Sequence, residues 1–437
     1  MFKGYALSLI SLCLMGTAHA ALTFSGNSLP VITEIPAAST GLKEVYVLSS
    51  TNGVTATCSG TGRVTVYRYS SLGGGYAEEI PVTVNGSEVS FAIQGDMGYI
   101  VDDNQSRTCY WVVDHSSHPL SINALRVEQS DCGSVSLSVT GQGDRITYYS
   151  INGAPITLDR NLELRYSSME WNDEAGRFQQ TEQTTSYPYL TAELHTPAPL
   201  CDTDFELSGD RFMRIWGTAE SVTSPIYEAI AVSAHTSASQ YNRDNANEQK
   251  AAATGLGGSA PCEIEFEAAV TDGAIFQEWQ ISRDPEFNNI ALRFNETDVT
   301  YTFRDEGITY ARFVASNAAG SCDWYSETYE ISIGESALQC PNAFSPGATE
   351  GINDEWKVSY KSIIDFECHI FNRWGQKMAE FTDPASGWDG KYNGKLVPAG
   401  VYYYVIRATG ADGKEYKLSG DINIVRYNTS KRTASPQ

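Results

Sequence analysis

Short runs of alternating apolar and polar residues, each ended by a turn rich in Gly, Asn or Ser, recur along most of this 437-residue chain. Alternation places successive side chains on opposite faces of an extended strand, so each run fits a strand with one buried face. The chain contains 25 Tyr, 16 Phe and 37 Gly, which are residue types of strands and turns. Long helical runs of Ala, Leu, Glu and Lys are nearly absent. We therefore predict an all-β protein.

Turn-rich breaks divide the chain into modules. The run from Cys262 to Ala268 has a clear strand alternation, and Trp279 occupies the place of a core tryptophan. This part resembles the immunoglobulin-like modules of bacterial surface proteins. Residues 239–260 have almost no apolar periodicity, which is typical of a linker. The predicted order is a signal peptide (1–20), a β-sandwich module (21–118), a β-rich module (119–238), a linker (239–260), an immunoglobulin-like module (261–335), a C-terminal β-sandwich domain (338–428) and a tail (429–437).

The N-terminus has the three parts of a secretion signal. Lys3 gives a positive start, residues 5–15 form a short apolar run, and Ala18-His19-Ala20 offers a cleavage site. The apolar run is too short to span a bilayer, and no other stretch approaches that length. Leu12, which precedes Cys13, disfavours a lipoprotein signal. We predict export across the inner membrane, no transmembrane segment, and a mature protein at the cell surface or outside the cell.

The chain is strongly acidic, with a net charge of −23. A field of that sign repels nucleic-acid phosphates, so we predict no nucleic-acid partner. The acidity fits a well-solvated secreted surface, and binding of a cation is the alternative.

Eight cysteines follow the signal peptide, and an oxidising compartment favours disulfides. The chain contains no Cys-x-x-Cys, which disfavours zinc and redox sites. Pairing each cysteine with its nearest neighbour in sequence gives one bridge per module. The predicted bridges are Cys58–Cys109, Cys132–Cys201, Cys262–Cys322 and Cys340–Cys368.

The region from Leu338 to Tyr427 carries an ordered series of short motifs. The motif residues are Pro341, Asn342, Phe344, Pro346, Gly351, Asn353, Asp354, Trp356, Asn372, Arg373, Trp374, Gly375, Trp388, Asp389, Gly390, Pro398, Gly400, Tyr402, Gly420 and Arg426. The series resembles the gliding-motility-associated C-terminal domain, the type B sorting domain of type IX secretion in Bacteroidota. The resemblance implies that this domain is a β-sandwich and that the secretion machinery is its partner.

Two further expectations concern the packing of this domain. In the turn Asn372-Arg-Trp-Gly375 we expect Gly375 to take positive φ while Trp374 packs. In the strand beginning at Val401, both faces are apolar enough to be buried.

One loop departs from the family pattern. The family commonly has Asn-Gly-Asp before Gly-Ile-Asn-Asp, and here Ala348-Thr-Glu350 stands in its place. If the loop binds calcium in relatives, one carboxylate has been exchanged here. We favour the alternative that Glu350, Asn353 and Asp354 cap turns, and we predict no cofactor.

The chain contains no Gly-x-Ser-x-Gly, His-Glu-x-x-His, P-loop or nucleotide-binding glycine motif. The pair His115 and His118 would face a metal only on a helix, and it lies in a β-rich region. Neighbouring carboxylates such as Asp284 with Glu286, or Glu170 with Asp173, are expected by chance among 53 acidic residues. We therefore predict that the protein is not an enzyme.

The favoured function is a structural or adhesive surface protein that carries a sorting signal and binds a glycan or protein ligand. A glycan-binding accessory protein and, less favoured, a surface hydrolase are the alternatives. Four tryptophans are candidates for a glycan-binding face, although alternate aromatics are more often core residues: Trp111, Trp171, Trp216 and Trp324.

Overall fold

The computed structural model describes residues 21–59, 63–72, 76–104, 106–249, 255–348 and 351–425. The predicted signal peptide and tail, together with Glu350 and Arg426, lie outside the described residues. Strands make up 54% of the structure and helices 3%, which confirms the all-β prediction. The chain divides into two compact units. The first extends to residue 168 and resumes at 181–228, and the second comprises 169–180 and the chain from 229 onward.

The first module of the first unit is a two-sheet sandwich. One sheet has the strand order β1-β4-β8-β7 and the other β2-β3-β10-β9-β5-β6, and the pair β3–β10 is parallel. The hairpin β7–β8 turns at Gly86-Ser87, where Gly86 has a φ of 66°. The strands are β1 Thr23–Ser25, β2 Ile32–Glu34, β3 Glu44–Leu48, β4 Thr55–Ser59, β5 Thr65–Tyr69, β6 Glu78–Glu79, β7 Thr83–Asn85, β8 Glu88–Ala92, β9 Met97–Asp102 and β10 Arg107–Asp114.

Strand β10 is buried on both faces. Tyr110 and Val112 point into the core between the two sheets of the first module. Trp111 and Val113, on the opposite face, belong to a second cluster that includes Phe212 from the second module. The first two modules therefore share a hydrophobic core and form one unit.

The second module contains three small sheets and one helix. The long hairpin β11–β12 pairs with β17, β13 pairs with β14, and the third sheet has the order β16-β15-β18-β19. The elements are β11 Leu120–Ser130, β12 Ser134–Gly143, β13 Ile146–Tyr149, β14 Pro155–Leu158, β15 Leu162–Asn172, β16 Arg177–Tyr187, β17 Glu193–Pro197, β18 Glu206–Ser208, α1 Arg211–Trp216 and β19 Ser221–Thr223.

A buried ion pair lies at the start of helix α1. Asp210 is fully buried and its Oδ2 accepts hydrogen bonds from Arg160 Nε at 2.9 Å and from His115 Nε2 at 3.1 Å. Its Oδ1 accepts from the backbone N–H groups of Phe212 and Met213, both at 3.0 Å. Asp210 therefore both caps the helix and neutralises Arg160, whose side chain is 1% exposed.

The second unit contains the immunoglobulin-like module. One sheet has the order β20-β22-β25 and the other β21-β28-β26-β23-β24, with β27 paired to β26. Trp279 is buried between them, against Phe266 and Phe313. The strands are β20 Ala234–Gln240, β21 Leu256–Gly258, β22 Cys262–Val270, β23 Phe276–Ser282, β24 Ile290–Phe294, β25 Val299–Phe303, β26 Gly307–Ser316, β27 Asp323–Tyr325 and β28 Tyr329–Ile333.

The predicted linker 239–260 is wrong at both ends. β20, which we had placed mostly in the second module, pairs with β22 along its whole length. β21 pairs in parallel with β28. These segments are rich in Ala, Ser and Gly, and they join the sheets through backbone hydrogen bonds, which need no apolar side-chain pattern.

The C-terminal domain is built on a five-stranded sheet with the order β30-β37-β36-β32-β33. Its core contains Trp356, Trp388 and Ile406, all buried on one face of the sheet. The strands are β29 Ala337–Gln339, β30 Ala343–Phe344, β31 Ser359–Lys361, β32 Ile363–Phe371, β33 Lys377–Phe381, β34 Lys391–Tyr392, β35 Lys395–Leu396, β36 Gly400–Gly410 and β37 Glu415–Ile424.

Residues 241–249, which we call the strap, bind the C-terminal domain directly. Gln249 N donates to Tyr360 O at 2.7 Å, and Tyr360 N donates to Asn247 O at 3.1 Å. The side-chain Nδ2 of Asn247 donates to Val358 O and to Pro384 O, both at 2.8 Å. The strap therefore holds the C-terminal domain against the end of the preceding module, where we predicted a linker.

Glu248, the penultimate residue of the strap, holds the strap in place. Its side chain is 5% exposed and accepts hydrogen bonds from Arg243 at 2.6 Å and Asn245 at 3.1 Å. The hydroxyl of Tyr360 lies 3.3 Å from the same carboxylate. Burial, with the charge of Glu248 second, raises the pKa of Tyr360 to about 12. The tyrosine therefore stays neutral and acts as a hydrogen-bond donor.

Replacing Asn247 with alanine is expected to destabilise the second unit by about 1–3 kcal/mol, because the carbonyl groups of Val358 and Pro384 lose their donor. Asn242→Ala is the matched control, since Asn242 lies exposed in the same strap. Urea denaturation, with hydrogen exchange at the Tyr360 amide, measures the difference. Equal stability of the two variants would show that the strap does not support the domain.

The predicted disulfide pairing is wrong. Among the described residues, Cys132 and Cys322 are the disulfide-bonded cysteines. None of the four predicted bridges is formed among those residues. Cys340 and Cys368 are neighbouring free thiols. Burial, with Cys340 second, raises the pKa of Cys368 to about 12.

The alternation of strand β10 explains why Cys58 and Cys109 do not pair. Cys58 lies in the core between the two sheets of the first module. Cys109 packs against the other cluster, on the Trp111 side of β10. Cys58, on strand β4 of the other sheet, and Cys109 therefore lie on opposite sides of the sheet that contains β10, and disulfide geometry requires Cβ atoms about 3.5–4.5 Å apart.

Candidate functional site

The large motif residues of the C-terminal domain form its core. Trp388 is 3% exposed and packs on Phe344 and Tyr402, at ring-centroid distances of 5.6 and 5.1 Å. Trp356 is fully buried and its Nε1 donates to Pro341 O at 2.6 Å. The backbones of the two tryptophans exchange hydrogen bonds of 2.9 and 3.0 Å. These residues set the fold of the domain.

Smaller motif residues shape the turns around this core. Gly390 has a φ of 72°, and a Cβ there would lie 2.9 Å from Pro346. A Cβ at Gly420 would lie 2.7 Å from the Tyr404 hydroxyl. Gly400 has a φ of 151°. Asn342 O accepts a hydrogen bond from Asn423 N, and Pro398 O accepts one from the Tyr402 hydroxyl at 3.0 Å. Asp389 forms an ion pair with Lys391 at 2.7 Å.

The loop considered for calcium is closed by its own carboxylate. Asp354 accepts hydrogen bonds from Gly347 N at 2.9 Å and Gly351 N at 2.6 Å. Asn353 and Gly351 have φ values of 53° and 81°. Asp354 therefore caps this turn. Glu350 lies outside the described residues.

The turn between β32 and β33 differs from the prediction. Gly375 has the expected positive φ, at 80°. Trp374, however, is 76% exposed, so our expectation that it packs is wrong. Asn372 Oδ1 accepts from Trp374 N and Gln376 N, and these bonds hold the backbone of the turn. A turn stabilised by backbone hydrogen bonds does not require its side chains to be buried.

A groove of about 460 Å³ lies beside this turn. Trp374 lines this groove. Lys395, Leu396 and Pro398, from the hairpin β34–β35 and the segment that follows it, line it as well. Val401 of strand β36 is a further lining residue. Residues of a turn, a hairpin and a strand therefore contribute to the groove.

The outer face of the five-stranded sheet is open to solvent. Val401 and Tyr403 are each 45% exposed and Val405 is 42% exposed. The prediction that both faces of strand β36 are buried is therefore wrong. The tertiary fold covers the face that carries Tyr402 and Ile406 and leaves the other face exposed.

Three residues on that outer face have side chains of the metal-ligating types. One ligand atom each from Glu367, His369 and Glu380 lie within 4.8 Å of one another. His369 Nε2 lies 3.0 Å from Glu367 Oε1, and Lys377 forms an ion pair with Glu380. The positive charge of Lys377 offsets part of the negative charge of the two glutamates. We interpret the cluster as a surface ion-pair network and assign it no metal.

The other candidate residues fall into structural roles. His115 contacts Asp210, and His118 contacts Asp96 at 3.0 Å, so the two histidines bind different carboxylates. Asp284 accepts backbone hydrogen bonds from Glu286 and Asn288 and caps a turn.

The four tryptophans proposed for a glycan-binding face are buried or half-buried. Trp111 is buried, and Trp171 stacks on His235 with ring centroids 3.8 Å apart. Trp216 Nε1 donates to Pro30 O, and Trp324 is half-buried in the edge strand β27. Trp374, which we expected to pack, is the exposed tryptophan. Its position inside a four-residue turn is the sequence feature that could have predicted this exposure.

No helix within the described ranges is both long enough and apolar enough to cross a membrane.

The fold and these motif residues define a multi-module β-sandwich protein with a specialised C-terminal domain. Comparison with family models identifies two of its parts. Residues 338–424 match the CHU_C type IX secretion signal domain, and residues 124–224 match a fibronectin type III domain. Residues 338–424 therefore form a domain similar to type IX secretion signal domains. The match implies interaction with the secretion machinery and export to the cell surface or beyond. Both matched domains are of non-catalytic kinds.

Comparison with solved structures gives distant matches. A tetra-tandem repeat from the extending region of a large adhesion protein is 12% identical, covering 86% of this chain and 97% of that one, with a TM-score of 0.20. Latent PorU from Porphyromonas gingivalis is 10% identical, covering 75% and 36%, with a TM-score of 0.16. The fibronectin(III)-like modules of Clostridium thermocellum CbhA are 11% identical, covering 42% and 97%, with a TM-score of 0.18. No curated protein matches the chain.

Proposed function

We propose that the protein is a non-enzymatic surface protein whose β-sandwich modules serve as structural or adhesive elements, and whose C-terminal domain is read by the secretion machinery as a folded object. The observation that carries the proposal is the match at 338–424 to a secretion signal domain with its own buried core. An apparatus that recognises a folded domain needs a fixed surface. The buried tryptophans supply that rigidity.

The shared core of the first two modules supports a structural role. Trp111, at the junction, is 1% exposed and packs against Tyr69 and Tyr149. Burial of large aromatic side chains between successive modules restricts bending, which suits a stalk or spacer.

Deletion of residues 338–437 tests the export role. The deleted protein should accumulate in the periplasm, because it lacks the domain that the machinery binds. Protease shaving of intact cells measures the surface amount, and immunoblots of whole-cell lysates control for degradation. Normal surface levels of the deleted protein would refute the proposal.

A further inference from the structure

We propose that the groove beside Trp374 binds an acidic saccharide, through stacking on the indole ring and pairing with two cations. This binding site goes beyond the proposed export function.

The first observation is the exposure of Trp374. Indole is among the largest apolar side chains, and burying it would stabilise the domain, yet the ring is 76% exposed. Its backbone N–H donates to Asn372 Oδ1, which fixes the place of the residue in the turn. A flat, solvent-facing indole is a suitable platform for the C–H face of a pyranose ring.

The second observation is the charge of the groove. Arg373 and Lys395 are the charged residues that line it, and neither has a carboxylate partner among the described residues. The nearby cations Lys377 and Lys391 are neutralised by carboxylates, so they do not compete. Two uncompensated cations in a protein of net charge −23 favour an anionic ligand.

The third observation is the position of the Arg373 guanidinium, 4.2 Å from the centroid of the Trp374 ring. The cation–π contact holds the guanidinium over one face of the indole, so a sugar ring stacks on the other face, and the guanidinium N–H groups remain able to bind a carboxylate. A uronic acid offers a pyranose face and a carboxylate on the same ring, so one sugar can satisfy both residues. An acidic peptide offers the carboxylate without a rigid ring face.

The groove has a size suited to such a ligand. Its volume of about 460 Å³ lies within the range of small-molecule sites, roughly 300–1,000 Å³. Leu396 and Val401, 46% and 45% exposed, extend the apolar surface beside the indole. The site is therefore large enough for more than one sugar ring.

Isothermal titration of the full mature chain with trigalacturonic acid tests the assignment. Saturable binding that weakens as salt increases is expected. Fully methyl-esterified trigalacturonate, which keeps the rings and loses the charge, and tetra-aspartate, which keeps the charge and has no ring, should each bind at least about tenfold more weakly, as expected when one charge-assisted bond or one stacking contact is lost.

The variants locate the site. Trp374→Ala and Arg373→Gln should each lower the affinity by about tenfold or more, and Trp374→Phe should restore part of it by keeping a stacking face. Tyr241→Ala removes an equally exposed aromatic, 72% exposed, that does not line the groove and should change nothing. No saturable binding, equal binding of the ester or tetra-aspartate, or binding unaffected by Trp374→Ala would each overturn the proposal. Surface levels of Trp374→Ala report separately on export.

Discussion

Replacing Trp388 with alanine should destabilise the C-terminal domain by about 3–5 kcal/mol. The side chain is 3% exposed, packs on Phe344 and Tyr402, and its Nε1 donates to Lys391 O at 3.0 Å. Alanine leaves a cavity and an unpaired carbonyl. Because a domain of this size is stabilised by only about 5–15 kcal/mol, a large part of its stability is lost.

Trp374→Ala is the matched control, because it deletes the same side chain from an exposed position in the same domain. Its effect on stability should stay within about 0.5 kcal/mol, as for most surface substitutions. Chemical denaturation of both purified variants gives the comparison. Equal losses in the two variants would contradict the assignment of core and surface.

Export should follow the same division. If the machinery reads a folded domain, Trp388→Ala should accumulate in the periplasm while Trp374→Ala reaches the surface. Protease shaving of cells that carry each variant measures this. Normal export of an unfolded Trp388→Ala domain would show that the signal is a linear segment.

Asp210→Asn should destabilise the first unit by about 3–5 kcal/mol, because Arg160 becomes a buried charge without a counter-charge. Arg160 is 1% exposed, and its other hydrogen bonds are to the carbonyl groups of Asp144 and His118, which carry no net charge. Glu88→Gln neutralises an exposed carboxylate of the same unit and is the control. Hydrogen exchange at the amides of Phe212 and Met213, together with urea denaturation, reports the loss.

The pH dependence of this pair has a defined sign. Burial alone would raise the pKa of Asp210, but hydrogen bonds from His115 and Met213 N, with the charge of Arg160, lower it on balance. A carboxyl whose pKa is lowered on folding stabilises the protein above its unfolded value of about 3.9, and this contribution disappears as the pH falls through the folded pKa. The difference between wild type and Asp210→Asn should therefore shrink below about pH 4. A constant difference down to pH 2 would contradict the ionised state of Asp210.

The cysteines show where order along the chain misleads. Pairing by proximity in sequence assumes that each bridge closes within its own module. Cys109 and Tyr110 are adjacent in strand β10, and that single step along the strand moves the side chain from one core to the other. The face that a side chain occupies depends on register, which pairing with β3 and β9 fixes.

The contacts of the strap and the exposure of Trp374 are two further features that depend on the tertiary structure. The strap sequence is polar and has no apolar period, so it reads as a linker, but its amides match the free backbone groups around Tyr360. Trp374 is apolar, so its sequence context predicts burial, yet the turn that carries it leaves the side chain exposed to solvent. Hydrogen-bond partners and exposure depend on neighbours that are distant in sequence.

The sequence by itself determined the strand content, the positive φ at Gly375 and the identity of the C-terminal domain, because alternation, turn residues and ordered motifs are local properties of the chain. The tertiary structure alone decided which face of strand β36 is covered, which cysteines meet, how the modules join and which tryptophan is exposed. Those features depend on the packing of one strand or module against another, and the free energy of that packing comes from residues far apart in sequence.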